Sequence, residues 1–511
     1  MQLLFAGSPL ALILVVMLGL GRSAAVAGMA GLALALAVSI WVFDLGTATL
    51  ADIGVAPAVG ASLVEAAFTA ATILWIIFPA LCIYVLQDRH GAFGVIRDAL
   101  FAVSADRRFL VLLIGWFFSL FVEGAAGFGA SVALAAPLLV TIGYTPLKAV
   151  VLALIGHAAG VSFGAVGTPV ITQAAVTGMD GGAIATQASL MHLTLGWMLV
   201  VALLWMSGER RPTLRDIGWA LLAALCFLAP AAAIAWAVGP ELPTLGGSLI
   251  GLGVFVWILK RAQQREATRT TASDREPGPE LRVIFHAVLP YAVLLALILL
   301  TRLIGPVQEA LRVVEWSWTL PGPFAGSFQP LYHPGTMLMG GFLIGALLQG
   351  RNAGDIGAAM SAALARLAKV TVALLAMLAL SRIMVHGGMI TELAEGAAQI
   401  GTGWPLLAPA VGALGTFVTG SATASNILFS EFQVATAQSL GLPAITMLAA
   451  QTFGAAIGNI ACPHNIIAGG ATVGLQGEEG HALRATLPVC LIYAAAGGLL
   501  VLAVVAAAGP V

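Results

Sequence analysis

Long apolar stretches, separated by short polar segments, occupy most of this chain. A membrane-spanning helix needs about 20 predominantly apolar residues to cross a hydrocarbon core of about 30 Å. Because lipid offers no hydrogen-bond partners to the backbone, such stretches are expected to be helical. Spanning helices are predicted at 2–20, 23–43, 66–86, 186–206, 217–238, 244–259, 283–304, 334–350, 369–388 and 487–509.

Two further regions, 109–178 and 406–474, are apolar but repeatedly interrupted by Gly, Pro, Ser, Thr and Asn. Irregular backbone at membrane depth is tolerated only where it is buried in protein or lines a cavity. The pattern therefore predicts broken or re-entrant helices in both regions. The predicted fold is an all-α integral membrane protein with about 12 transmembrane helices.

Lys and Arg cluster in four polar segments, which predicts that these segments lie on the cytoplasmic side. The clusters lie at 89–108, 210–215, 260–282 and 351–369. This assignment places both termini outside. Residues 91–104 carry their apolar side chains on one helical face, which predicts an interfacial amphipathic helix.

The polar segment 260–282 predicts a flexible cytoplasmic linker that divides the chain into two halves. The predicted segments are N-terminal spans with the interfacial helix (1–108), a first repeat with broken helices (109–208), a connecting helix pair (209–259), the linker (260–282), spans and an interfacial helix of the second half (283–405), and a second repeat with broken helices (406–511).

A weak internal repeat relates the two interrupted regions. Phe121-Val-Glu-Gly124 begins the first and Phe417-Val-Thr-Gly420 begins the second, and Pro146 and Pro443 follow at nearly the same offset. The first region starts from a basic loop and the second from a charge-poor loop near Trp404. The two repeats are therefore predicted to be inverted, as in many secondary transporters, whose binding sites lie near the bilayer midplane.

Composition agrees with a membrane protein, because 60% of the residues are hydrophobic and 9% are charged, against roughly 25% charged in soluble proteins. The net charge of −1 gives no support for nucleic-acid binding. No metal-ligand cluster, nucleophile–base spacing or nucleotide-binding loop stands out. The sequence therefore predicts neither an enzyme nor a bound cofactor or metal.

The break after Glu123 contains closely spaced glycines and a serine. Glycine weakens a helix by roughly 1 kcal/mol relative to alanine. One interpretation is a re-entrant tip whose free N–H groups face an anion; the other is tight packing between helices. The first interpretation makes Gly124, Gly127, Gly129 and Ser131 candidate substrate-binding residues.

The break in the second repeat is rich in hydroxyl and amide side chains. This density of polar groups within an apolar region needs internal partners, which a bound carboxylate or back-bonding to helix carbonyls would supply. The substrate-binding candidates here are Thr419, Ser421, Thr423, Ser425 and Asn426.

Each repeat has a second break, at Gly164-Ala-Val-Gly-Thr-Pro169 and at Gly458-Asn-Ile-Ala-Cys-Pro-His-Asn465. Polar residues there are expected to cap half-helices whose positive ends point inward, although ordinary proline kinks are an alternative. The candidates are Thr168, Asn459 and Asn465.

Ionisable residues within apolar stretches are functional candidates. Glu123, His157 and His464 are candidates to carry a coupling proton, with hydrogen-bonded packing as the alternative for each histidine. Arg382 lies in the middle of a predicted span and is a candidate to pair with the substrate carboxylate, with Glu123, or with Glu431.

These motifs resemble the L-lactate permease family of bacterial lactate and glycolate transporters. The resemblance is carried by Leu120-Phe-Val-Glu-Gly-Ala-Ala-Gly-Phe-Gly129, Phe163-Gly-Ala-Val-Gly167 with Pro169, Gly239-Pro-Glu-Leu-Pro243, Phe417-Val-Thr-Gly-Ser-Ala-Thr-Ala-Ser-Asn426 and Ala471-Thr-Val-Gly-Leu475. It implies proton-coupled uptake of 2-hydroxymonocarboxylates by a multi-pass protein of the bacterial inner membrane. Asn459 stands where the family leads us to expect lysine, so Arg382 is a candidate to take over that role.

The leading hypothesis is a symporter whose partners are a small organic anion, a proton and the lipid bilayer. Broken helices with hydroxyl and carbonyl oxygens also suit Na⁺, so sodium coupling is the first alternative and a passive anion channel the second. A second copy of the chain, in a homodimer, is a further candidate partner.

Overall fold

The computed structural model describes residues 1–127, 129–208, 211–267, 278–475 and 477–508. Its first half contains α1 (Gln2–Leu14), α2 (Ala24–Trp41), α3 (Val55–Arg89), α4 (Ala92–Phe101), α5 (Arg107–Val111), α6 (Ser119–Ala125), α7 (Ala130–Thr141), α8 (Pro146–His157), α9 (Gly164–Thr177), α10 (Gly181–Leu195), α11 (Trp197–Ser207), α12 (Leu214–Ala237) and α13 (Pro243–Ala267). The second half contains α14 (Leu281–Leu303), α15 (Gly305–Arg312), α16 (Pro334–Leu348), α17 (Ala353–His386), α18 (Met389–Ala398), α19 (Trp404–Thr419), α20 (Ala422–Leu440), α21 (Ala444–Ala461), α22 (Pro463–Thr472) and α23 (Glu479–Ala508). Short π-helical segments lie at Val15–Gly19 and Leu112–Phe118, and 3-10 turns at Ala158–Phe163 and Gly401–Gly403.

The helical membrane fold predicted from the sequence is confirmed. Within the described residues, nine helices are long and apolar enough to cross a membrane, or up to eleven if each of two bent pairs counts as one span. The number of about 12 spans stays a prediction. The predicted amphipathic segment forms α4, in which Phe93, Ile96 and Leu100 are buried and Arg97 is exposed.

Two helix boundaries differ from the sequence prediction. α13 continues to Ala267, into the predicted linker, and Gln263 in this extension donates to Ser104 Oγ at 3.2 Å. The centre of the predicted linker, 268–277, lies outside the described residues. α17 begins well before the predicted span at 369–388, because Asn352 and Asp355 form a capping box that starts it, and apolar pattern alone does not detect such a start.

One β-hairpin lies among the helices and is missing from the sequence prediction. β1 (Trp316–Thr319) pairs antiparallel with β2 (Ala325–Phe328), with Trp316 opposite Phe328. Trp318 packs edge-on against Phe68 of α3, with ring centroids 5.5 Å apart. Strands this short do not produce an apolar stretch, so a search for spans does not detect them.

The first interrupted region contains a re-entrant hairpin formed by α5, the π-helical segment, α6 and α7. Arg107 at the start of this hairpin donates to the Gly143 carbonyl just after its end, at 2.6 Å. The same guanidinium lies 3.7 Å above the ring of Tyr144. Both ends therefore lie on one face of the protein, and the turn between α6 and α7 lies inside it.

The second interrupted region contains the corresponding hairpin, formed by α19 and α20. Trp404 at its start donates to Gln433 Oε1 at 3.0 Å. Gln433 in turn donates to the carbonyl of Ala408 at 3.2 Å. These contacts hold the returning helix beside the entering one, with the turn at Gly420 as the tip.

The segments that follow the two hairpins run in opposite directions. Side-chain contacts join Gln173 to Leu448 at 3.0 Å, Ser162 to Thr452 at 3.2 Å and His157 to Asn459 at 2.9 Å. As the residue number falls in the first segment, it rises in the second, so the two segments are antiparallel. An inverted repeat requires this arrangement, while the repeat itself stays a prediction.

Close packing of α19 against α21 depends on glycine. A Cβ added at Gly454 would overlap the carbonyl oxygen of Pro409, and one added at Gly412 would overlap the carbonyl oxygen of Gln451. In membranes, helices associate through such close backbone contact because lipid provides little hydrophobic force between them. These glycines therefore fix the position of the second hairpin.

The first testable prediction concerns this packing. Gly454→Ala is expected to lower the melting temperature of the purified protein in detergent, because overpacking costs about 1–3 kcal/mol. Gly60→Ala in α3 is the matched control, since a Cβ there meets nothing within 4 Å. Equal melting temperatures for the two variants would contradict the packing argument.

Candidate functional site

The breaks of both interrupted regions meet around one small cavity, which we call the central cavity. Its volume is about 50 Å³. It is lined by Glu123, Gly127, Gly129, Val161, Gly164, Ala165, Thr168, Pro169, Gly420, Ser421, Ala422, Thr423 and Asn459. Residues that lie far apart in the sequence therefore surround the same space.

Glu123 is the acidic residue of the central cavity. Its side chain lies near the end of α6 and is 5% exposed. Ser131 Oγ donates to Glu123 Oε2 at 2.7 Å, while the other carboxyl oxygen lies against Gly164, where a Cβ would overlap it. Among the described residues, Glu123 forms no ion pair.

The wall opposite Gly127 has an unusual backbone conformation. Between the 3-10 turn and the regular part of α9, Ala165, Val166 and Gly167 have φ angles of 44°, 54° and 79°. The first two are non-glycine residues in the left-handed region, which costs of order 1–3 kcal/mol each and persists only where the surroundings enforce it. Val166 is fully buried. The strain lies at the cavity, as is common for functional sites.

Three helical segments begin at the central cavity. α7 begins just after Gly129, the regular part of α9 begins near Thr168, and α20 begins after its N-cap, Ser421. The first N–H groups of a helix have no intrahelical partner, and the N-terminus carries about half a positive charge. The central cavity therefore presents N–H donors and positive potential without a cationic side chain, which suits a small anion.

Hydroxyl and amide side chains complete the wall. Ser421 Oγ accepts from the Ala424 N–H at 3.3 Å and keeps its own proton for donation. His157 Nε2 lies 2.9 Å from Asn459 Oδ1, and His157 Nδ1 lies 2.8 Å from the Ala153 carbonyl oxygen. His157 therefore lies behind Asn459 and orients its amide rather than facing the central cavity.

A second space, which we call the side cavity, adjoins the tip of the second hairpin. Its volume is about 260 Å³, and its walls come from α2, α3, α17, α20 and α22. Thr419, Gly420, Ser421 and Thr423 line it, and the last three also line the central cavity. His464 faces this side cavity. The tip of the second hairpin is thus the partition between the two spaces.

A model of the family described as L-lactate permease matches residues 2–507. The chain belongs to the L-lactate permease family. It is a multi-pass integral membrane protein, which in bacteria lies in the inner membrane.

Three relatives illustrate the similarity. The L-lactate permease of Streptococcus iniae is 32% identical over 376 residues, which cover 72% of this chain and 78% of that protein. The L-lactate permease of Escherichia coli (strain K12) is 29% identical over 466 residues, covering 84% and 83%. The Glycolate permease GlcA of the same strain is 29% identical over 477 residues, covering 84% of each chain.

In this member of the family, three of the substrate-binding candidates named from the sequence pack between helices and do not line the central cavity. Gly124 packs against the backbone of Leu245, where a Cβ would come within 2.8 Å of Cα. Ser425 Oγ donates to the Gly412 carbonyl at 2.8 Å. Asn426 Nδ2 donates to the Pro169 carbonyl at 3.1 Å. For these three residues the structure favours the packing interpretation.

Other candidates lie at the site or directly beside it. Ser131 positions Glu123 by its hydrogen bond. Thr168 lines the central cavity, with its hydroxyl donating to the Ala165 carbonyl at 2.6 Å. Asn465 lines the side cavity, and a Cβ added at Gly129 would lie 3.7 Å from its Oδ1. The structure thus brings the first and second breaks of both regions together.

Arg382 lies apart from both cavities, in a buried cluster of charges. Its Nη1 lies 3.3 Å from Glu65 Oε1 and 3.4 Å from Glu431 Oε1, and its Nη2 donates to the Val176 carbonyl. His386 Nε2 lies 2.8 Å from Glu65 Oε2. Of the roles expected for Arg382, the structure favours pairing with Glu431. Arg382 therefore does not replace the lysine that the family leads us to expect at position 459.

Sequence reasoning missed Glu65 and the pair of Glu241 with Arg302. Glu65 stands one position before a predicted span, and an ionisable residue at that edge is a usable signal. Arg302 Nη2 lies 2.8 Å from Glu241 Oε1, with both side chains less than 8% exposed. Glu241 belongs to the Gly239–Pro243 motif, but nothing in the sequence indicates its partner.

The second prediction tests the role of Arg382. Arg382→Ala is expected to lower the melting temperature strongly, because removal of one member of a buried ion pair costs about 3–5 kcal/mol. Adding Glu431→Gln to this variant is expected to restore part of the loss, since one uncompensated charge is removed. A normal melting temperature together with lost stabilisation by L-lactate would instead place Arg382 at the substrate.

Proposed function

We propose that this chain is a secondary active transporter that takes up a small 2-hydroxymonocarboxylate of the lactate or glycolate type together with a proton. The relatives named as L-lactate permease and glycolate permease support this substrate class. The observation that carries the proposal is the convergence of three helix N-termini and a buried carboxyl group on the central cavity.

The substrate carboxylate would accept from the first N–H groups of α20 and from the hydroxyls of Ser421 and Thr423. Thr423 Oγ1 has no hydrogen-bond partner among the described residues and lines both cavities. The substrate hydroxyl would meet the amide of Asn459. The volume supports a small solute, because a water needs about 10–15 Å³ of such space and the central cavity measures about 50 Å³.

Coupling to a proton follows from charge. An ionised Glu123 and a bound carboxylate would repel each other in the same space, by about 4 kcal/mol for unit charges 4 Å apart at an effective dielectric constant of about 20. A proton on Glu123 removes this repulsion. Proton and substrate would therefore bind cooperatively, as symport requires.

The antiparallel contacts between the α8–α9 segment and α21 support the further proposal of two inverted repeats. Each repeat would contribute one hairpin and one broken helix, with the substrate between them. This architecture places the site where alternating access from either side is feasible.

The third prediction concerns Glu123. Glu123→Gln is expected to abolish uptake of L-lactate driven by a pH gradient, because glutamine cannot release a proton, while exchange of internal for external lactate persists. Uptake and exchange are measured with radiolabelled L-lactate in proteoliposomes. Glu395→Gln is the control, since Glu395 is exposed on α18 and lines none of the cavities described here. Unchanged gradient-driven uptake in Glu123→Gln would remove the proposed proton carrier.

The fourth prediction separates proton coupling from its alternatives. In proteoliposomes, a pH gradient is expected to drive accumulation of lactate without sodium, and a sodium gradient alone is not. Accumulation driven only by sodium would favour the sodium-coupled alternative. A flux that does not saturate with lactate concentration, without accumulation of lactate above its equilibrium level, would indicate a passive channel.

A further inference from the structure

A third and larger space, which we call the vestibule, lies outside the central and side cavities. Its volume is about 700 Å³. It opens between the ends of α9, α12 and α14 and the starts of α10 and α16. This face is opposite the basic segments that are predicted to be cytoplasmic, because α12 and α14 each start near one of those segments. Its wall contains Arg302, Arg312 and Tyr332.

Arg302 is a buried cation that is incompletely paired. Its side chain is 6% exposed. Nε and Nη2 both donate to Glu241 Oε1, at 3.1 and 2.8 Å. Among the described residues, Arg302 Nη1 and Glu241 Oε2 have no hydrogen-bond partner. Leaving a buried donor of a charged group unsatisfied costs free energy, and a ligand oxygen would recover it.

A second guanidinium lies against the same aromatic ring. Arg302 lies 3.7 Å and Arg312 4.3 Å from the ring centroid of Tyr332. Arg312 Nη2 and Gln308 Nε2 both donate to the Tyr332 hydroxyl, at 3.1 and 2.7 Å. The ring thus lies against two cations, and an anion bound near the ring would be attracted by both.

We propose that the vestibule is a second binding site for a small carboxylate, which is held there by the guanidinium of Arg312 and by the incompletely paired positive charge of Arg302 beside it. This inference rests on the proposed function, because it describes where the same substrate binds before it reaches the central cavity. Guanidinium groups match carboxylate geometry and form charge-assisted hydrogen bonds.

The position of the vestibule supports an entry site. Its floor is the loop containing Pro240 and Glu241. A Cβ added at Gly167 would overlap the Pro240 carbonyl, so this loop packs directly against the left-handed segment of α9. Ala165, in that segment, lines the central cavity. The loop and the left-handed segment, packed against each other, therefore lie between the two spaces.

Local charges indicate weak binding, as a site on a transport path requires. The carboxylates of Asp180 and Glu241 line the vestibule beside the two arginines. His333 adds no positive charge near neutral pH, because burial and the nearby Arg302 lower its pKa to about 4. The site would therefore concentrate the anion without retaining it.

The fifth prediction tests this proposal with Arg312→Gln in the full-length protein. Arg312 is exposed, so the variant is expected to fold. KM for L-lactate uptake is expected to rise about threefold to tenfold with the maximal rate retained, and the difference is expected to shrink at high salt. Arg261→Gln is the matched control, since Arg261 is also exposed and stacks on a ring, Trp257, at 4.1 Å.

A binding measurement makes the test independent of transport. Phenylglyoxal modification of Arg312 is followed by mass spectrometry, and sodium L-lactate is expected to slow it while sodium chloride at equal ionic strength does not. Modification of Arg261 should respond to neither. Equal protection by chloride, or unchanged KM in Arg312→Gln, would overturn the vestibule site. Protection without any lactate uptake by the wild type would overturn the proposed function and leave the vestibule site standing.

Discussion

The structure depends on one constraint: backbone that leaves the helical pattern within an apolar protein must find partners for its polar groups. Here the helix breaks satisfy this requirement by approaching one another closely. Gly164 leaves space for the carboxyl group of Glu123, and Gly167 leaves space for the carbonyl of Pro240. α7 and α20 begin at the space between the breaks, at Gly129 and Ser421. The central cavity is therefore a consequence of how interrupted helices are accommodated.

The sequence predicted the breaks because a cluster of glycines or hydroxyls contrasts sharply with apolar surroundings. It did not predict which residue of a break faces the cavity. Gly124 and Gly127 belong to the same motif, yet Gly124 packs against Leu245 and Gly127 lines the central cavity. Helical periodicity assigns faces only where φ and ψ are regular, and the left-handed segment 165–167 has no signature that periodicity can detect.

The sequence also did not predict which residues, distant along the chain, form ion pairs with each other. The charge of Arg382 within a predicted span showed that it must be paired, but the sequence did not rank its partners. The structure joins it to Glu65 on α3, to Glu431 on α20 and to the Val176 carbonyl at the end of α9. Two helices that line the central cavity are thereby tied to α3 and α17 by a buried charge. Movement of α9 and α20 relative to α3 would have to keep this cluster intact or rehydrate it, so the cluster restricts which motions are accessible at low cost.

The absence of a described cationic side chain from the central cavity gives a reason for using helix N-termini there. A buried arginine or lysine would pair permanently with Glu123, as Arg302 pairs with Glu241, and would hold that carboxyl group ionised. Helix N-termini offer only about half a charge each, which attracts an anion without fixing the state of Glu123. In the proposed mechanism, a proton on Glu123 would then decide whether a carboxylate fits beside it. Asn459, in place of the lysine expected for the family, would keep the proposed site weakly polarised, which suits a carrier that must release its substrate as readily as it binds it.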